Sequence, residues 1–166
     1  MSAFLRRLSL VLVGLVCGGL AAGVFLPLAV AASPVLREAG GGFLVMAALA
    51  GLFDLFAGLG PWLMGKATAL AWAFVILVIG APLFVSALIG EVFAARSLFW
   101  HTLAPGLIAA VAPWAARATD VAGDAAEASG GAVEPRLVAV FFLAGCLGGL
   151  VYWRIAGRSA GRFDEE

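Results

Sequence analysis

The chain has 166 residues, 64% of them hydrophobic and 12% charged, and its ten basic and ten acidic side chains cancel. Ordinary soluble domains carry about 25% charged residues, and a chain this short leaves much of its surface in contact with solvent. The arithmetic excludes a soluble monomer, a disordered chain and a surface that attracts nucleic acid through a basic field. Lipid is the expected solvent, and the expected fold class is an all-α integral membrane protein: a polytopic helical bundle forming one membrane domain over residues 1–166.

The first apolar run is 8–32, preceded by Arg6 and Arg7. Its 25 residues can span the roughly 30 Å hydrocarbon core with some tilt. Ala29-Val30-Ala31 after Pro27 resembles a signal-peptide cleavage site. The run exceeds the usual apolar core of about 7–15 residues in a secretory signal, so a retained helix is expected. A polar break follows with Ser33-Pro34, Arg37, Glu38 and glycines at 40–42.

The second candidate span, 43–62, is strongly apolar from Phe43 to Leu59 except at Asp54, and Gly60-Pro61 with Gly65-Lys66 reads as a turn. The third, 68–90, is uncharged from Leu70 to Gly90, with a bend expected near Pro82. Glu91 and Arg96 bracket the next break. Residues 98–116 are apolar but interrupted by His101, Thr102, Pro105, Pro113 and Trp114, leaving only Leu107 to Ala112 unbroken. That segment is expected to be re-entrant or interfacial, with a short span as the other reading. Residues 117–136 form a polar acidic loop, 137–153 the last span, and 154–166 a tail carrying Arg154, Arg158 and Arg162.

Basic residues set orientation. Arginines before the first span and after the last place both ends in the cytoplasm, which demands an even number of crossings. Either 98–116 or 43–62 fails to cross. Both choices put six basic residues inside and four outside, so the rule favours four crossings without choosing between the models. The expectation adopted here is spans 8–32, 43–62, 68–90 and 137–153.

Few residues bear chemistry. The chain contains no Asn or Gln, one histidine and two cysteines, Cys17 and Cys146, with no CxxC spacing. No Walker loop, GxSxG or HExxH motif is present, and no cofactor or metal is implied. Asp54 is the one acid well inside an apolar run. A carboxylate there faces protein, a basic partner or water, which suits ion or proton handling or a buried ion pair.

Gly14 and Gly18, Gly19 and Gly23, and Gly145 and Gly149 are spaced four apart. Such small faces let helices approach closely in lipid, either between subunits or within one bundle. Ala47 with Gly51 and Ser86 with Gly90 are weaker versions. Glu91, Arg96 and His101 recur every five residues, which does not make one helical face. They are expected as an interfacial polar group, with His101 beside Phe99 and Trp100 in the aromatic belt.

These features point to a small non-enzymatic protein of a bacterial inner membrane. Its expected role is an accessory or stabilising subunit that packs against partner subunits or copies of itself. The alternative is a transport or ion-conducting subunit working through Asp54.

Overall fold

The structure, a computed structural model, describes residues 3–38, 76–112 and 133–159. The candidate span 43–62 with Asp54, the acidic loop up to residue 132 and the tail from residue 160 lie outside the described residues.

Every regular element among the described residues is helical. Helix α1 runs Ala3–Ala32, straight through Pro27, and a three-residue helix, Pro34–Leu36, follows it. A π-helical turn, Ile76–Gly80, leads into α2, Ala81–Val92. The bend expected at Pro82 takes this form: proline has no N–H to give the preceding turn, and the widened turn ends just before it. Helix α3 is Leu98–Ala110 and α4 is Val133–Ile155, closed by a 3₁₀ turn, Gly157–Ser159.

Helix α4 is central. Antiparallel α1 lies on one side, with Gly14 against Tyr152 and Ala156 and Gly18 on Gly148. Further along, Ala22 and Leu26 share a core cluster with Ala144 and Phe141. On its other side α4 takes α3, also antiparallel. His101 meets Gly149, Pro105 meets Gly145, and Gly106 meets Phe142 and Cys146 in turn.

Contact at backbone distance explains the glycines. A Cβ on Gly18 would sit 2.6 Å from the Gly148 carbonyl oxygen, and one on Gly145 would sit 2.6 Å from that of Pro105. Contact this close gives the helices van der Waals packing along their backbones, as small residues at helix interfaces allow.

The interruption read at 98–116 takes a different form over the described part. Helix α3 continues through Pro105. Proline crowds the carbonyl four residues back, here His101, and that carbonyl lies where a Gly149 side chain would otherwise be. The missing side chain on α4 makes room for that carbonyl on α3.

All four chain directions follow from these contacts and from that of Glu91, at the end of α2, with Arg7 near the start of α1. The start of α1, the end of α2, the start of α3 and the end of α4 meet at one end of the bundle. The opposite end holds residues 34–36, where Leu36 and Val30 pack with Leu137 and Val140.

Two helices are long and apolar enough to cross a membrane, Leu5–Ala32 and Pro135–Ile155; Ile76–Val92 and Leu98–Ala110 are shorter apolar helices. The outer surface is strongly apolar. On α1 the exposed side chains Leu8, Leu12, Val16, Leu20, Val24 and Leu28 form a stripe at every fourth position, and Phe84, Leu88, Leu107 and Leu143 are exposed on the other helices. The buried set, by contrast, includes Arg7, Ser86 and His101.

Candidate functional site

The polar interior gathers at the end of the bundle where both described termini lie. Arg7, one turn into α1, is 8% exposed. Its Nε donates to Glu91 Oε2 at 3.1 Å, and its Nη2 donates to Glu91 Oε1, completing a forked ion pair. Its Nη1 donates to the Ala156 carbonyl at 3.0 Å and to Ser159 Oγ at 2.7 Å. Planar guanidinium and carboxylate groups match in this way because two parallel N–H donors meet two oxygens.

Tyr152 is fully buried on α4, and its hydroxyl donates to Glu91 Oε1 at 3.2 Å. One carboxylate at the end of α2 is thereby held by α1 and by α4. A charge withdrawn from water is tolerated when it is paired and hydrogen-bonded; Glu91, 21% exposed at its side chain, accepts hydrogen bonds on both oxygens.

His101 is the next layer. It is 1% exposed, its ring centroid lies 5.4 Å from that of Tyr152, and Nε2 is 2.8 Å from the Ala95 carbonyl. That contact assigns the proton to Nε2, since a carbonyl only accepts. Glycines make the space: a Cβ on Gly90 would lie 2.5 Å from His101 Cε1, and one on Gly157 would lie 3.0 Å from Cδ2. His101 Nδ1 and the neighbouring Thr102 Oγ1 are buried with no hydrogen-bond partner.

Two indoles tie the rim to backbone. Trp100 Nε1 donates to the Ser86 carbonyl at 3.1 Å. Trp153 Nε1 donates to the Arg96 carbonyl at 3.0 Å, with the Arg158 guanidinium 5.3 Å above its ring. Ser86 Oγ donates to the Leu83 carbonyl at 3.0 Å within α2.

Of the residues singled out by sequence, Glu91 and His101 come together through the 93–97 turn, although no single helix could align them. Arg96 is in that turn and joins through its backbone carbonyl, its side chain being exposed. His101 is enclosed between helices, where the sequence suggested a ring lying in the interfacial belt.

Gly14, Gly18, Gly145 and Gly149 all serve helix contacts within this one chain. Gly23 is buried. Gly19 has open space in front of it, in an apolar groove of about 650 Å³ between α1 and the 76–84 stretch. Asp54, Ala47 and Gly51 lie outside the described residues.

Sequence reasoning passed over Arg7, Tyr152, Gly148 and Gly106. Arg7 read as an anchor of topology. Tyr152 carried a usable signal: it is the one tyrosine of the chain, set in an apolar run, and a buried tyrosine hydroxyl seeks a partner.

The cluster resembles a staple more than a reaction centre. Arg7 and Glu91 spend their hydrogen-bonding capacity on protein groups, and no nucleophile is paired with a base. Among the described residues no three His, Cys, Asp or Glu side chains gather as a metal site would need, and Cys17 and Cys146 are free thiols. Compared with family models, curated proteins and solved structures, the chain matches none.

Proposed function

We propose that the chain is a polytopic membrane protein of a bacterial inner membrane, crossing four times, that works without catalysis as an accessory or stabilising subunit of a larger complex. One observation carries this reading: apolar side chains cover the outside of the described bundle, while Arg7, His101 and Tyr152 are enclosed within it and Glu91, pairing with Arg7, is only partly exposed. That distribution suits lipid as solvent.

The crossings are 8–32, 68–90, 98–116 and 137–153. The four described helices alternate in direction, and α3 runs beside α4 as far as the Phe141 and Ala144 level. These four alternating helices already give an even number of crossings, which favours 43–62 as the segment that does not contribute one.

Arg6, Arg7, Arg96, Arg154, Arg158 and Arg162 then share one side, against Arg37, Lys66, Arg117 and Arg136 on the other. The excess places both termini in the cytoplasm. At 13 residues, α3 is only about 20 Å long; a span this short is accommodated by local thinning of the bilayer.

The accessory role rests on what the interior lacks. Among the described residues its polar groups are few and bonded to one another or to backbone carbonyls, leaving little to line a hydrophilic path, and the apolar faces remain for lipid and partner helices. Native mass spectrometry from mild detergent tests the role. A stoichiometric complex, with partner subunits or with itself, is expected; a stable lone monomer contradicts it. The competing role as an ion-conducting subunit working through Asp54 predicts a cation- or proton-dependent flux in proteoliposomes that Asp54→Asn abolishes.

A further inference from the structure

Two features near the Arg7–Glu91 pair are not explained by packing alone. His101 is enclosed with Nε2–H committed to the Ala95 carbonyl and with Nδ1 bare and unpartnered. The turn that supplies that carbonyl is strained: Ala94 has a φ of 50°, a left-handed conformation that an alanine adopts at a cost. The strain lies one residue from the atom His101 holds.

We propose that His101 is a proton-operated latch on the 93–97 turn: a proton taken up at Nδ1 draws the ring out of its glycine cage and lets the turn relax. The proton comes from water at the membrane border and resides on Nδ1, and no covalent bond of the protein breaks. Uptake creates a second N–H donor where the structure offers no acceptor, and an enclosed donor without an acceptor is unfavourable.

Charge acts in the same direction. The groups around the ring are Glu91 on α2, Arg7 on α1 and Tyr152 on α4. Arg96 lies in the turn itself, and Arg158 beyond α4 is held over Trp153. Glu91 is already shared between Arg7 and the Tyr152 hydroxyl. With neutral imidazole, Arg7 and Glu91 balance. With imidazolium, two enclosed cations face one carboxylate, and the ring has reason to move toward water or toward Glu91. Either movement withdraws Nε2 from Ala95 and removes what restrains Ala94. The close fit at Gly90 and Gly157 leaves little room for a smaller adjustment.

This chain has one histidine, so imidazole labelling reports on the latch alone. The test uses the full chain with ¹⁵N-labelled histidine in lipid nanodiscs, taken from about pH 8 to about pH 5. The ring nitrogens are followed by NMR and residues 93–97 by amide hydrogen exchange. The expected result is an Nε2–H tautomer at the alkaline end. Protonation of Nδ1 on acidification is then accompanied, over the same pH range, by an at least about tenfold loss of protection in the turn, each rate being taken relative to the intrinsic amide rate at that pH. His101→Phe, which fills the cage without a titrating nitrogen, should show no such loss.

Any of four results overturns the proposal: an Nδ1–H tautomer at alkaline pH, a ring that stays neutral throughout, titration without loss of protection in the turn, or the same acid response in His101→Phe. The wild-type titration decides the matter even if the Phe variant does not fold.

Discussion

Arg7 and Glu91, 84 positions apart in sequence, form a forked ion pair that fastens the first turn of α1 to the last turn of α2. The same guanidinium reaches the Ala156 carbonyl and Ser159 beyond α4, so one side chain joins three of the four helices at the end where both described termini meet.

Removing one partner leaves the other enclosed without its counter-charge. Breaking a buried pair costs roughly 3–5 kcal/mol, and the 21% exposure of the Glu91 side chain moves the expected value toward the low end. Arg7→Ala and Glu91→Ala should each lower unfolding stability in detergent by about that amount. Arg7→Leu combined with Glu91→Leu should recover much of the loss, though not all, because the Tyr152 hydroxyl loses its acceptor and the Ala156 carbonyl loses one of its donors, keeping those from Ser159. Circular dichroism during denaturant titration reads all three variants.

The glycines divide into two groups that look alike in sequence. Gly18→Ala places a methyl group 2.6 Å from the Gly148 carbonyl oxygen, a backbone atom that moves only if the helices separate. A loss of about 1–3 kcal/mol is expected, as for an overpacked core. Gly19→Ala meets open space and gains helix propensity, so it should be neutral or stabilising by up to about 1 kcal/mol. Comparing the two unfolding midpoints checks the assignment of α1 faces.

Ala94 offers a stabilising change. Its φ of 50° suits glycine, which enters the left-handed region without a Cβ penalty. Ala94→Gly should stabilise the protein by about 1 kcal/mol, and Ala94→Val, with a branched side chain at the same angle, should destabilise it. Thermal melts of the two variants should shift in opposite directions.

Trp153 links α4 to the 93–97 turn through one N–H. Trp153→Phe keeps the apolar ring but loses the bond to the Arg96 carbonyl, worth about 0.5–1.5 kcal/mol, and weakens the stacking of Arg158. Faster amide exchange confined to the turn is the expected signature, with the remaining α3–α4 contact unchanged.

Hydropathy made the helices legible because an apolar run whose backbone bonds within one helix is specified locally. Runs 8–32 and 137–153 correspond to α1 and α4, and the borders fall near Arg6 and Arg154 as the charges suggest. Charge parity led to the expectation that both ends lie on one side; among the described residues, Arg7 and Ala156 meet at one end of the bundle. What was not legible depends on contacts between segments. Pro105 and His101 read as interruptions of 98–116, because the compensating glycines at 145 and 149 are on another helix some forty residues away.

Distance along the chain hid the candidate site in the same way. Arg7 read as an anchor because its acid is 84 positions distant. The five-residue spacing of Glu91, Arg96 and His101 argued against a shared helical face, correctly, and gave no hint that a turn would bring the first and last of them together. The glycine pairs signalled close approach but not which helix would approach, and Gly148, lying between the paired Gly145 and Gly149, escaped the pattern altogether.

The four-crossing arrangement with both termini on one side is tested most directly by sulfhydryl accessibility in intact membranes. Lys66→Cys and Arg96→Cys, each in a background with Cys17 and Cys146 replaced, are labelled with a membrane-impermeant maleimide from one side at a time. The account predicts that position 96 reacts from the same side as a cysteine placed in the C-terminal tail, and that position 66 reacts from the opposite side. Labelling of 96 from the side opposite the tail, or of 66 and 96 from the same side, would contradict it.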